Sequence, residues 1–405
     1  MNGRSTRVER LVVGGGIGGL AVALAVARRG LAVHVIEQAS AFEEIGAGIQ
    51  LAPNALRVLD ELDVLGPVIA DAVRPPMATL MDSSTGERIA AIDFGERFRS
   101  TYGYPYIVTH RTDLLNCILD GCRSNALVTL ETDRHVVAVE DAGTSVRVEC
   151  ADGTSYEAGA VIGADGLWST VRRHTVRDGE PAYIGDVAYR CTVPLAAVPE
   201  RDGMDNMTWW IGPSMHLIQY PVRRGELLNQ VAVFTTDDAS AGGDPETWGA
   251  PAELDRRFAG KVGHVDGAVN LIDRSRRWIL RDRPPVGSWT RGRATLLGDA
   301  AHPMAQYLAQ GACQALEDAA VLAESLATHR HDVPSAFCAY EHERVGRTAQ
   351  VQLWARRMGE IVHADGVLAL LRDELLGRLD PSDFRYIDWL YSYQTPRGND
   401  IKDVR

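Results

Sequence analysis

Gly14, Gly16 and Gly19 stand in Gly-x-Gly-x-x-Gly spacing between the apolar run Leu11-Val-Val and a second apolar run that begins at Leu20. At that spacing the first glycine permits a tight strand-to-helix turn, the second lets backbone approach a pyrophosphate, and the third lets helix pack on strand. The helix then opens with its N–H groups and positive dipole end toward the phosphates. Leu31-Ala-Val-His-Val-Ile36 predicts the next strand, and Glu37 ends it. A carboxylate there accepts hydrogen bonds from adenosine ribose hydroxyls and repels a 2′-phosphate, so NAD or FAD fits better than NADP.

Two further segments put carboxylates at strand ends. Val161-Ile-Gly-Ala-Asp-Gly-Leu-Trp168 is an apolar strand running into a Gly turn with a short helix after it, and Ala294-Thr-Leu-Leu-Gly-Asp-Ala-Ala-His-Pro303 ends similarly. Open α/β sheets bind ligands at such strand ends, where Asp165 and Asp299 suit polyol hydroxyls. A predicted hairpin supplies other chemistry: Met215–Pro221, a turn at Arg223-Arg-Gly225, and Leu228–Phe234. Alternation sends His216, Ile218 and Tyr220 to one face, with Tyr220 about 13 Å along the strand from His216. An unperturbed imidazole titrates near neutrality, as a general base requires, although a lone strand histidine also serves as a structural hydrogen-bonder.

The elements that must position these groups read as α/β at the N-terminus. Residues 44–51 form a Gly-interrupted loop or strand entering a helix near Pro53, suited to close backbone approach to a flat ligand. Residues 109–115 open another helix, with Thr112 or Asp113 as caps. Hairpins are expected over 127–157, with a turn at Ala151-Asp-Gly-Thr154, and alternating texture over about 180–290 predicts a mostly antiparallel sheet. The α/β style returns over 294–311, and helical patterns fill 312–328 and 335–378.

At 405 residues the chain has room for two or three domain-sized units. Its formal charge of −12 and lack of any Lys/Arg block argue against nucleic acid or an anionic membrane as partner. The apolar stretch in the first 30 residues is neither signal peptide nor spanning helix, because glycines and a strand-turn-helix layout interrupt it. Six cysteines without CxxC spacing read as reduced thiols of a cytoplasmic protein, and eleven histidines without HExxH imply no metal site.

Taken together, GGGIGG at 14–19, GADG at 163–166 and GDAAHP at 298–303 resemble the single-component, FAD-dependent aromatic monooxygenases of the para-hydroxybenzoate hydroxylase fold. The resemblance implies a Rossmann-type FAD-binding domain over 1–180 and 290–330. An inserted substrate-binding β-sheet domain covers 181–289 with part of 75–110, and a helical segment covers 331–405. It also implies FAD, with NADH (or NADPH) as a transient co-substrate, since one complete fingerprint leaves the nicotinamide no Rossmann domain of its own. By this likeness Gly14, Gly16, Ile17, Gly19 and Glu37 hold the ADP moiety, and Gln50, Arg111 and Pro303 lie along the FAD. Asp165 and Gly166 serve the region shared with the nicotinamide, and Asp299 the ribityl or pyrophosphate portion. The helix opening at Gly311-Ala312 aims at the flavin pyrimidine ring, where charge accumulates on reduction. Gln310-Gly-Ala-Cys313 departs from the Gln-Gly-x-Asn or Ser-Gly-Ala of many relatives.

Within that family the likeness is to hydroxylases of 3-hydroxybenzoate first and of salicylate next, through Tyr106–Arg111, Ile211–Phe234, Pro303–Leu308 and Tyr386–Tyr391. It places His216, Tyr220 and Gln306 around the substrate. The expected reaction is hydroxylation of a small phenolic acid with O2, 3-hydroxybenzoate to 2,5-dihydroxybenzoate, in a cytoplasmic enzyme that can form a homodimer. A flavin dehydrogenase on the same scaffold, or a protein-binding relative of the GDP-dissociation inhibitors, is the alternative.

Overall fold

The computed structural model describes residues 5–43, 46–198, 203–241 and 244–396. Ser5–Val13 is the spine of the first sheet, paired in parallel with Val33–Ile36 on one side and Ser155–Gly163 on the other. Ala294–Leu296 joins beside Ser155–Gly163, also in parallel. Leu11 and Val12 have no exposed surface, as expected of a parallel strand covered on both faces. The Ile17–Arg28 helix is Ala- and Val-rich all round and is buried on nearly every side, packed against Arg111–Arg123 and Gly311–Thr328.

The row of hairpins expected over 127–157 divides in two. Val128–Glu131 extends the parallel run, because Val128 and Leu130 match Val33 and Val35 across the ladder. Only Val136–Asp141 and Val146–Cys150 form the antiparallel meander onto Ser155–Gly163. Of the loop at 44–51, Glu44 and Ile45 lie outside the described residues, as do 1–4 and 397–405. The rest pairs Gly48–Leu51 with Ile107–His110, and the helix Pro53–Glu61 follows with Pro53 in its first turn.

The second sheet runs in the order Trp278–Asp282, Ala182–Pro194, Leu227–Thr235, Met215–Val222, Met207–Gly212, Met77–Asp82, Arg88–Asp93. All its pairings are antiparallel except Met207–Gly212 with Met77–Asp82. The hairpin turn falls where the sequence places it, with Arg223, Arg224 and Gly225 all at positive φ. Sheet texture does not hold throughout 180–290, however. Pro251–Phe258 and Gly263–Asn270 are helices, and Leu254, Phe258 and Val265 pack them against the sheet's far face at Val187 and Phe234.

The helix opening near 109 begins at Arg111, and His110 holds its N-cap position without a side-chain bond. Neither Thr112 nor Asp113 caps it; Asp113 instead accepts two 3.0 Å hydrogen bonds from Arg223 and ties this helix to the hairpin turn. Gly311–Thr328, Val333–Val362 and Gly366–Leu376 complete the chain's long helices. No helix among the described residues is long and apolar enough to cross a membrane.

Candidate active site

The glycine turn has the geometry its spacing demands. Gly14 lies at φ +106°, and a Cβ on it would stand 2.4 Å from the Ala164 carbonyl oxygen. A Cβ on Gly19 would meet the Gly14 carbonyl oxygen at 2.0 Å, so helix and turn touch backbone to backbone there. Gly16 is the N-cap of Ile17–Arg28 and supplies no side-chain cap, which leaves the first N–H groups of the helix for a ligand. Gly18, which the fingerprint passes over, brings this helix against Leu297 and Ala315. Glu37 accepts from the Gly15 N–H at 2.7 Å and from the Ala39 N–H at 2.9 Å, which fixes the carboxylate beside the turn.

From Gly16 and Ile17 a cavity of about 400 Å³ opens between the two sheets. Gly166 at φ +72°, Asp299, and the N-terminal residues Gly311 and Ala312 of a second uncapped helix line the same space. Two helix N-termini facing one cavity favour a ligand with negative charge at two places. The donor set fits a dinucleotide whose ring system gains charge on reduction, as that of FAD does.

The floor of the cavity beyond is the second sheet. Register places Arg190, Val231, Ile218 and Trp209 side by side on four neighbouring strands, and all four line the cavity. His216 and Tyr220 flank Ile218, so the alternation inferred for this strand is realised. Gly48 passes so close overhead that a Cβ would lie 2.5 Å from the Tyr220 ring. Burial pushes the Tyr220 phenol well up, leaving it a proton donor.

His216 is stacked on Trp209 at 5.5 Å between ring centroids and is 2% exposed. Its Nδ1 lies 2.8 Å from Nε2 of His363, the residue that ends the long C-terminal helix. Tyr307 packs against both imidazoles and donates to Asp186. Burial, and secondarily His363, pull the His216 imidazole well below its usual range. The ring is therefore neutral at physiological pH, which corrects the near-neutral titration expected from the sequence.

A profile of the FAD binding domain family matches residues 7–355. The chain belongs to that family. It is an FAD-dependent aromatic monooxygenase, with a nicotinamide dinucleotide as reductant. It is 40% identical over 388 residues to the 3-hydroxybenzoate 6-hydroxylase of Polaromonas naphthalenivorans (strain CJ2), covering 95% of each chain. It is 37% identical over 399 residues to a 3-amino-4-hydroxybenzoate 2-monooxygenase of Streptomyces platensis, covering 96% of this chain and 97% of the relative. In fold it is similar to a variant of Klebsiella pneumoniae HpxO complexed with FAD, with TM-score 0.82, 26% identity, and 95% and 98% of the two chains covered.

In this monooxygenase Gly16, Ile17, Gln50, Arg111, Gly166, Asp299, Gly311 and Ala312 line the cavity with His216, Tyr220 and Gln306. Gly14, Gly19 and Glu37 stand behind the lining, where they shape the turn. Two further expected residues lie outside the lining. Asp165 keeps its carboxylate inside its own loop, accepting from Ser169 Oγ at 2.5 Å and from the Thr170 and Val171 N–H groups, and so supports Ser169, the N-cap of the short helix Thr170–Thr175. Pro303 is absent from the lining and offers its carbonyl to Gln352 Nε2 at 2.9 Å. Sequence reasoning passed over Arg190, Trp209, Tyr307 and His363. A legible signal existed for Arg190, a charge set among apolar neighbours in Val187-Ala-Tyr-Arg-Cys-Thr-Val193.

Proposed function

We propose that the enzyme hydroxylates 3-hydroxybenzoate to 2,5-dihydroxybenzoate. The observation that carries this reading is a neutral, buried imidazole facing a ring-sized cavity between the FAD grip and an apolar sheet floor. Relatives near 40% identity named 3-hydroxybenzoate 6-hydroxylases support the choice of substrate. FAD held by Gly16, Ile17, Gly166, Asp299, Gly311 and Ala312 would, when reduced, supply the chemistry that turns O2 into an electrophilic oxygen donor. The protein's part is to make the ring electron-rich and to present one carbon.

With Nδ1 engaged by His363, the Nε2 of His216 is the nitrogen that takes the phenolic proton. As it does so, the proton on Nδ1 passes to His363 Nε2, so no net positive charge has to stay on the more deeply buried ring. Tyr220 donates a hydrogen bond, and Gln306 holds the opposite end of the ring. Ile218, Val231 and Trp209 supply an apolar bed that excludes water.

Screening the monohydroxybenzoates for stimulated NADH and O2 consumption, with product identification, tests the proposal. Near-stoichiometric 2,5-dihydroxybenzoate from 3-hydroxybenzoate is expected. Catechol with loss of carbon dioxide from salicylate, or peroxide alone, overturns it. The same reading expects a cytoplasmic homodimer, supported by the exposed Leu368, Leu370 and Leu371 on one helix, and a monomer mass in sedimentation would refute the assembly.

A further inference from the structure

Arg190 sits mid-strand in Ala182–Pro194 and faces the cavity, yet among the described residues no carboxylate forms an ion pair with it. Its Nη2 donates to Gln306 Oε1 at 2.6 Å, and its guanidinium lies 5.4 Å from the Trp278 ring. The Nε is enclosed and without an acceptor. Burial, with Arg111 adding repulsion, pulls the guanidinium down to about 10. A partly buried cation whose hydrogen-bond and ring partners are neutral is under-compensated, and an arriving anion relieves that cost.

Its place on the floor says which end of a ligand it meets. Arg190 and His216 are separated by two strand spacings and two residues, roughly 12 Å between Cα atoms in a regular sheet. Val231 and Ile218 fill the row between. One aromatic ring lying on that apolar strip would have the base at one edge and the long guanidinium arm at the other.

We infer that Arg190, braced by Gln306, is the counter-charge for the substrate's carboxylate and makes the enzyme selective for aromatic acids. The planar guanidinium can give a carboxylate two N–H donors at once, which a point charge cannot. Gln306 fixes the fork and so sets the ring's rotation above the floor. The inference rests on the reading of the cavity as the substrate site of an aromatic hydroxylase.

The test uses FAD-loaded enzyme and reads Kd from the change in flavin absorbance on adding 3-hydroxybenzoate or its neutral analogue 3-hydroxybenzamide. Wild type should prefer the acid, and Arg190→Gln should weaken acid binding about 30-fold or more while amide binding shifts less than about threefold. Arg190→Lys, which keeps charge without the fork, should fall between, and FAD content should be equal in all three. Equal affinity of wild type for acid and amide, a measurement that needs no variant, would overturn the inference. So would an Arg190→Gln enzyme that loses both ligands equally or loses FAD. If wild type ignores 3-hydroxybenzoate but shows the same Arg190-dependent preference for salicylate over salicylamide, the substrate proposal fails and the clamp stands. If 3-hydroxybenzoate is turned over while acid and amide bind alike, the reverse holds.

Discussion

His216 decides how the site responds to pH. Its conjugate acid is weakened by burial, so the base-competent neutral form persists well below the usual value of 6.5. The acid limb of kcat/KM assigned to this group should therefore lie below pH 6.5, and a limb at or above 7 would show that another group controls proton removal. His216→Ala should lower hydroxylation by roughly two to four powers of ten with FAD retained, and the loss should shrink for phenols acidic enough to ionise unaided. A defect indifferent to phenol acidity would reduce His216 to a positioning role. The strand pattern made His216 and Tyr220 legible, since alternation is local. His363 was not, because it meets His216 from 147 residues away, and no local pattern encodes that approach. Arg190 was visible as a charge in an apolar strand, but its place in the same row as Ile218, one strand beyond Val231, depends on the register of two strand pairings.

Among the elements, the strand-turn-helix at 5–28 separates folding from binding within one motif. Gly16 faces the cavity as N-cap, whereas Gly19 is pressed against the Gly14 carbonyl. Gly16→Val should thus fold, with the stability of the flavin-free wild-type protein, but purify without yellow colour. Gly19→Ala should cost about 1–3 kcal/mol of stability through overpacking before any effect on FAD is considered. Chemical denaturation beside flavin content checks the pair, and a Gly16→Val enzyme that binds FAD normally would break the assignment of that backbone to the pyrophosphate. The motif was readable because steric rules at glycine act over a few residues. Val128–Glu131 was misread because parallel and hairpin partners present the same alternation to a single strand, and only the apolar match across the ladder selects between them. The helices at 251–270 were missed for a related reason: each is 8 residues, about two turns, too short for a helical period to outweigh the surrounding strand texture.

At the scale of the whole molecule, a buried ionic network joins the cofactor side to the C-terminal helices. Arg344, with no exposed surface, donates to Glu317 at 2.5 Å and to Asp318 at 2.7 Å, and Asp318 also accepts from the Gly298 N–H and pairs with His302. Arg347 adds a second cation to Glu317, and Asn54 a neutral donor. Burial alone would push Asp318 up, but His302 and Arg344 together outweigh it and hold the carboxyl at about 2. A folded pKa depressed in this way contributes stability that is present above the usual 3.8 and is lost as pH falls toward 2. Arg344→Met removes a cation shared by both carboxylates and leaves burial to act on them with less opposition. Breaking such a pair costs about 3–5 kcal/mol at neutral pH. In the variant the two carboxyls should titrate above their wild-type values, taking up protons in the folded state as pH falls from 7 to 5. That uptake relieves the unpaired charge, so the stability gap between wild type and variant should narrow over that interval. Contributions from His216 and His363, whose lowered values make both proteins less stable below about 6.5, cancel in the difference. Urea unfolding of both proteins at pH 7 and pH 5 reads the gap directly, and a gap that stays constant or widens on acidification would mean that Arg344 acts by packing and not by compensating Glu317 and Asp318.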